Sequence, residues 1–278
     1  MTNIERFREK REYFGLVAET YDRSRPRYHA NAITHLVDCI ARGRSQSREE
    51  LYRIADVGCG TGIFTRQIAK LVGPRGDVIG IEPTVPLRVV AEAASDDPGN
   101  VRYMDGVAEE LPLGDATCDL VTAATSANWF NRMLFYGEAK RVLKSDGVLG
   151  LLMNKRRYIG NEFLSSYETF LESILPIYTR GTLGNANGGF SPVNYAKELE
   201  ARQDVHFVKF MTWTWESTLS GDEFVELAVT NTVVQRAIER HGEESVLNEL
   251  RNVIRAHLGT DGFLIIPFVT ELTVASFQ

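Results

Sequence analysis

The feature that most constrains the fold is a glycine-spaced turn set between a short apolar strand and an amphipathic helix. Tyr52–Val57 reads as a strand. It runs into Asp56-Val57-Gly58-Cys59-Gly60-Thr61-Gly62, and Thr61–Val72 then carries Phe64, Ile68 and Leu71 at helical spacing until Gly73-Pro74 stops it. Glycines at 58, 60 and 62 let the backbone turn tightly and let a ligand approach with no Cβ in the way. The spacing is GxGxG. A dinucleotide fingerprint, GxGxxG, needs glycine at 63, where this chain has Ile63, so an NAD-dependent oxidoreductase is disfavoured. Alone, such a loop is also an ordinary tight turn from strand to helix.

The rest of the first half keeps the same rhythm. Asp77–Glu82, Val101–Met104, Asp119–Ala124 and Gly147–Asn154 read as strands, with helices at Pro86–Ala94 and Asn131–Leu143 between them. Alternation at this spacing implies parallel βαβ units with right-handed crossovers. Before it, Ile33, Leu36, Val37 and Ile40 recur at helical spacing, and 42–50 is a polar linker. After Asn154 the alternation breaks. Residues 158–202 look helical around a glycine-rich loop at 181–190, His206–Trp215 is strand-like, 220–258 helical and Phe263–Ser276 a last strand.

The fold expected is a Rossmann-like α/β domain with a seven-stranded sheet, mostly parallel with a terminal antiparallel strand, plus a helical cap. The whole of 1–278 is read as one domain: core about 50–154, 205–216 and 262–278, cap from 1–48, 155–204 and 217–261. The cap should gather over the strand C-termini, where open α/β sheets bind ligands.

Composition narrows the function classes. A net charge of -6 gives no long-range attraction to phosphate backbones, which argues against a nucleic-acid binder. Two local basic clusters stand out, Arg23/Arg25/Arg27 and Lys155/Arg156/Arg157. Cys39, Cys59 and Cys118 suit neither a disulfide framework nor a zinc cluster, so a reducing cytoplasmic setting and no metal are expected. The charged opening MTNIERFREKREYFG lacks an apolar leader core, and no apolar run approaches the roughly 20 residues of a membrane span. The partner expected is a small-molecule substrate, with neither nucleic acid nor membrane, and with homo-oligomerisation left open.

Glu82 ends the second strand, 20 residues after Gly62. A carboxylate there can accept both hydroxyls of a nucleoside ribose. Asp56–Gly62 followed by Glu82 resembles the first two motifs of class I S-adenosylmethionine-dependent methyltransferases. GVAEELPLGDATCDLVTAATSANWFN (106–131), AETYDRSRPRYH (18–29), RVLKSDGVLGLL (141–152) and IPFVTELTV (266–274) are similar to stretches of that superfamily's small-molecule, ubiquinone-type branch. The resemblance covers most of 14–154 and thins beyond.

It implies S-adenosyl-L-methionine as cofactor and a role for each matching position. Gly58, Cys59, Gly60, Thr61 and Gly62 form the loop facing the methionine moiety, with Asp56 ordering it. Glu82 binds the ribose and Pro83 follows along the adenosine. Gly106, Val107 and Ala108 border the adenine. Thr125 and Ser126 sit beneath the sulfonium, and Tyr21 and Arg25 belong to a segment closing over the cofactor. Two departures matter. Val107 stands where the family commonly has an acid that bonds the adenine amino group, and Asn128 stands where it often has histidine. Asparagine cannot serve as a general base near neutral pH.

The catalytic residue is therefore open, with His29, Asn128 and Tyr21 as candidates. His29 follows the RPRY segment; His35 reads as packing. Trp213 and Trp215 read as sheet core rather than a substrate cage, and Asn231 as helix-surface polarity, the alternative being a position on a helix that faces the pocket. Residues 1–30, with Tyr13, Phe14, Tyr21, Tyr28 and Arg25, are expected to form a lid that orders on cofactor binding, the alternative being a permanently docked helix pair. The function expected is methyl transfer to a small molecule. Rival readings are an S-adenosylmethionine-binding enzyme of cyclisation or rearrangement, and a non-catalytic nucleoside-binding regulator.

Overall fold

The computed structural model describes residues 17–43, 51–94, 96, 98–185 and 187–278. Tyr13 and Phe14, and most of the 42–50 linker, lie outside them. In chain order the elements are α1 (Ala18–Ser24), α2 (Ala30–Gly43), β1 (Tyr52–Val57), α3 (Ile63–Val72), β2 (Gly76–Ile81), α4 (Val85–Ala93), β3 (Val101–Met104) and β4 (Cys118–Ala124). There follow α5 (Arg132–Val142), β5 (Leu143–Arg156), α6 (Glu162–Ile174), β6 (Leu183–Gly184), β7 (Phe190–Ser191), α7 (Tyr195–Glu200), β8 (Val205–Ser220), α8 (Gly221–Val229), α9 (Thr232–His241), α10 (Glu243–Arg255) and β9 (Phe263–Phe277).

Seven strands form one sheet in the order β3-β2-β1-β4-β5-β9-β8. Pairs among β1 to β5 are parallel, and β9 runs antiparallel to both its neighbours. The last strand of the chain is thus the antiparallel one, inserted between β5 and β8 rather than at the sheet's rim. Period-two alternation divides the strand residues between two cores. Ile54, Leu120 and Leu152 pack with α2 and α3, while Ala55, Val57, Val121 and Leu151 pack with α5 and Tyr195 of α7. Gly150 is needed where α2 lies against β5, since a Cβ there would fall 2.5 Å from Leu36.

Several late elements differ from the sequence expectation. The strand expected at His206–Trp215 extends to Ser220, and the glycine-rich loop holds the β6–β7 hairpin. The pairing of β8 with β9 continues to Ser220↔Phe263, whereas that of β5 with β9 ends at Arg156↔Phe268. This two-stranded ribbon reaches past the sheet and carries the cap. Leu264, Ile266 and Phe268 of β9 pack with Phe163, Tyr167, Phe224, Val234 and Leu250 of the cap helices in a third core. Trp215 stacks on Phe268 with centroids 4.6 Å apart, and Trp213 packs beside the α2 core, so both tryptophans are structural. No helix among the described residues is long and apolar enough to cross a membrane.

Candidate active site

A cavity of about 260 Å³ opens at the C-terminal ends of β1, β4 and β5, under the cap. A smaller hollow of about 60 Å³ adjoins it, bounded by Glu82, Thr84, Leu87, Ser126 and Phe130. Tyr21, Gly58, Gly60, Thr125 and Trp129 line both, which makes them one continuous site.

The glycine loop is anchored by the neighbouring strand. The amides of Gly58 and Cys59 donate to the Ile81 carbonyl at 2.8 and 3.1 Å. Glu82 is almost wholly buried; its carboxylate accepts from the amides of Gly60 (3.0 Å) and Thr84 (2.9 Å). Loop order therefore comes from Glu82 and Ile81. Asp56, expected in that role, accepts instead from the hydroxyls of Thr65 (2.6 Å) and Thr122 (3.3 Å), tying β1 to α3 and β4.

The three glycines have different reasons to be glycine. All have positive φ, 65°, 58° and 79°. Only Gly60 faces open space; a Cβ at Gly58 would meet Ser126 and Phe130 at 2.8–2.9 Å. At Gly62 it would strike the Tyr103 hydroxyl and Arg66, so this glycine serves the entry to α3 and faces away from the cavity, contrary to the expectation of a methionine contact. Thr61 lines the cavity, and its hydroxyl is buried with no partner among the described residues.

Arg66, 2% exposed, secures the loop from behind. It donates to the Thr61 carbonyl at 2.5 Å and to Asp22 of α1 at 2.8 Å, with Asp96 at ion-pair distance. The N-terminal segment is docked over the cavity by further bonds. Arg25 donates to the Thr230 carbonyl at 2.7 Å and lies over the Tyr21 ring, and the Tyr28 hydroxyl donates to Thr125 at 2.8 Å. Thr125 itself sits at φ 54°, a strained conformation for a β-branched residue, at the end of β4. Ser126 donates to the Val57 carbonyl at 2.8 Å.

Other expected positions are distributed unevenly. Asn128 is buried and lines the cavity; its amide nitrogen donates to the Gly184 carbonyl at 2.7 Å and its Oδ1 has no partner among the described residues. His29 does not line the cavity. It stacks on Trp213 at 6.3 Å and its Nδ1 accepts from Asn31, so it packs rather than reaching the site. Pro83, Val107 and Ala108 are buried, and Gly106 is packed against Ile81 and Pro112; none of the four lines either cavity. Asn231 lines the cavity from the break between α8 and α9, where it caps α9 by accepting from the Val233 amide. Sequence reasoning missed the far wall: Arg156, Glu168, Tyr178 and Phe190 come from separate elements with no shared spacing. The one local sign was the basic run 155–157.

Burial raises Asp56 to about 7, because its charged form gives up hydration that two threonine hydroxyls only partly replace. An acid whose pKa is raised by folding stabilises the native state most below the ordinary aspartate range, and that stability is lost as pH rises through about 7. Asp56→Asn should remove this dependence. Melting temperatures of the variant are expected to gain on the wild type between pH 5 and 8; parallel curves would rule out the neutral Asp56. Burial and the Glu168 carboxylate, which accepts from its hydroxyl at 2.7 Å, likewise push Tyr178 up.

Comparison with known proteins bears on this site. Residues 55–151 match the family described as "Methyltransferase domain". The match spans the glycine loop, Glu82 and Thr125. An uncharacterized methyltransferase of Mycobacterium tuberculosis is 35% identical over 144 residues, 51% of this chain and 52% of that protein. A demethylmenaquinone methyltransferase of Staphylococcus carnosus is 31% identical over 44% of this chain and 51% of its own. The chain spans about half the length of the curated relatives it matches. Among solved structures, a candidate type II methyltransferase from Anaeromyxobacter dehalogenans superposes with TM-score 0.62 at 20% identity, over 90% of this chain and 97% of that one. An N-methyltransferase from Haemonchus contortus, in complex with phosphomonomethylethanolamine and S-adenosylhomocysteine, gives 0.55 at 13% identity over 100% of this chain and 60% of that one. The structural likenesses show a shared Rossmann-like fold. The cavity's far wall lies after residue 151, beyond the family match.

Proposed function

We propose that this protein is an S-adenosylmethionine-dependent methyltransferase acting on a small-molecule acceptor. The observation that carries the reading is the buried Glu82 carboxylate at the end of β2, clasped to the amide of Gly60 where that glycine faces open space. The residues present suit the cofactor. Gly60 leaves room for close approach, the orphaned Thr61 hydroxyl offers a hydrogen bond, and Glu82 is an acceptor for ribose hydroxyls. Tyr21, Arg25, Gly58, Cys59, Thr125 and Ser126 would complete the enclosure, and the hollow beside Leu87 would take the base.

When bound, S-adenosylmethionine supplies a methyl group on a sulfonium, already activated for displacement. What remains for the chain is orientation and exclusion of water, which can supply several kcal/mol of the barrier. Tyr21 and Arg25 shield the mouth, and the Tyr28–Thr125 bond fixes the floor at the end of β4. No histidine lines the cavity among the described residues. That favours acceptors that react without proton abstraction, such as a carboxylate or an electron-rich carbon. The Asn128 Oδ1, buried and unpartnered, is an acceptor suited to hold a donor group of the substrate.

The test is a mass-spectrometric screen of cell extract with methyl-labelled cofactor. A labelled small molecule should form with wild-type protein and fail to form with Glu82→Ala. Cofactor-dependent, unlabelled cyclised or rearranged products would favour the rival chemistry instead.

A further inference from the structure

We propose that Arg156 selects the acceptor by pairing with an anionic group on it, a carboxylate or a phosphate. This rests on the methyltransferase reading of the site. Arg156 is the last residue of β5 and lines the cavity wall built beyond the methyltransferase match. Its guanidinium lies over the ring of Tyr167, 4.9 Å from the centroid, and Tyr167 is fully buried in the cap core. The platform fixes the head group in place, yet the side chain makes no hydrogen bond or ion pair with any described residue.

Neighbouring cations are spoken for. Lys155 pairs with Glu271 at 2.7 Å, and Arg25 gives one nitrogen to the Thr230 carbonyl. Arg25 nevertheless keeps a buried Nε without a partner on the same cavity. Glu168, the carboxylate on this wall, is engaged by the Tyr178 hydroxyl and lies beyond ion-pair distance of Arg156. Beside Lys155, which is paired, and Asp56, which is held by two threonine hydroxyls at the glycine loop, the cavity is lined by two guanidinium groups and one further carboxylate. A cation held in a partly apolar cavity without a counter-charge is costly, and a stacked ring recovers only part of that. An arginine fork matches a carboxylate or phosphate in bidentate geometry. Around it Phe190, Phe268, Trp129 and Tyr158 provide apolar and aromatic wall, so the anion belongs on a flat or apolar body rather than on a small polar one.

The experiment uses the full chain saturated with S-adenosylhomocysteine. Calorimetry would compare 2-naphthoate and 2-naphthyl phosphate with the neutral isostere 2-naphthamide. Wild-type protein should bind one of the two anions about tenfold or more tightly than the amide, and which anion wins distinguishes carboxylate from phosphate recognition. Arg156→Gln should abolish the preference and Arg156→Lys restore part of it, with S-adenosylhomocysteine affinity unchanged in both. That unchanged affinity also shows the variants are folded. No preference for either anion at millimolar concentration, or a preference that survives Arg156→Gln, overturns the assignment. Failure of wild-type protein to bind S-adenosylhomocysteine overturns the underlying methyltransferase reading, and this one with it.

Discussion

Replacing Glu82 by alanine is expected to weaken S-adenosylhomocysteine binding by about 1.5–3 kcal/mol, roughly 10- to 150-fold. Two effects combine. The ribose loses a charged acceptor, and the Gly60 and Thr84 amides lose the carboxylate that holds the loop beside β2. Glu82→Gln separates them, since its one remaining carbonyl oxygen can satisfy only one of the two amides. Its affinity should fall between those of the wild type and the alanine variant. Calorimetry reads both variants directly, and wild-type affinity in Glu82→Ala would remove Glu82 from the cofactor site.

Phe224→Ala should destabilise the protein by about 3–5 kcal/mol, the usual cost of a large cavity in a packed core. Phe224 is fully buried on α8 and meets Phe163 and Tyr167 edge-to-face, with centroids 4.7 and 5.0 Å apart. Its loss hollows the core on which the far cavity wall is built, including the ring beneath Arg156. Denaturant unfolding measures the cost. An effect under about 1 kcal/mol would mean that the cap is loosely packed and unfit to position an acceptor. Acceptor turnover should suffer more than S-adenosylhomocysteine binding, because the glycine loop and Glu82 stand on the sheet and not on the cap.

Much of the proposed cofactor half was legible because its signals are local. Strand β1, its glycine turn and α3 are consecutive, and backbone conformation there follows from residue type: positive φ at 58, 60 and 62 calls for glycine. Glu82 was findable because it sits one strand further on, at the end of a strand that pairs directly with β1. What each of these residues touches was less legible. Asp56 was expected to order the loop and instead ties β1 to Thr65 and Thr122; Gly62 was expected to face the ligand and faces Tyr103. Side-chain direction at a turn depends on the neighbours across the sheet, and the motif spacing does not carry those.

Taken alone, the residue sequence determined the parallel βαβ order through β5 and the glycine loop with its acidic partner, since each follows from short-range periodicity and backbone preference. Only the tertiary structure decided the far wall of the cavity. The ribbon of β8 and β9 outruns β5 and lifts the cap helices over the strand ends. That packing brings Arg25, Arg156, Glu168, Tyr178 and Asn231 to one cavity from five separate stretches of chain. It also leaves His29 stacked on Trp213, outside the site that its place in the sequence suggested. The physical reason is that burial of the cap's apolar faces, a non-local and non-directional force, sets where these polar groups end up, and no local pattern records it.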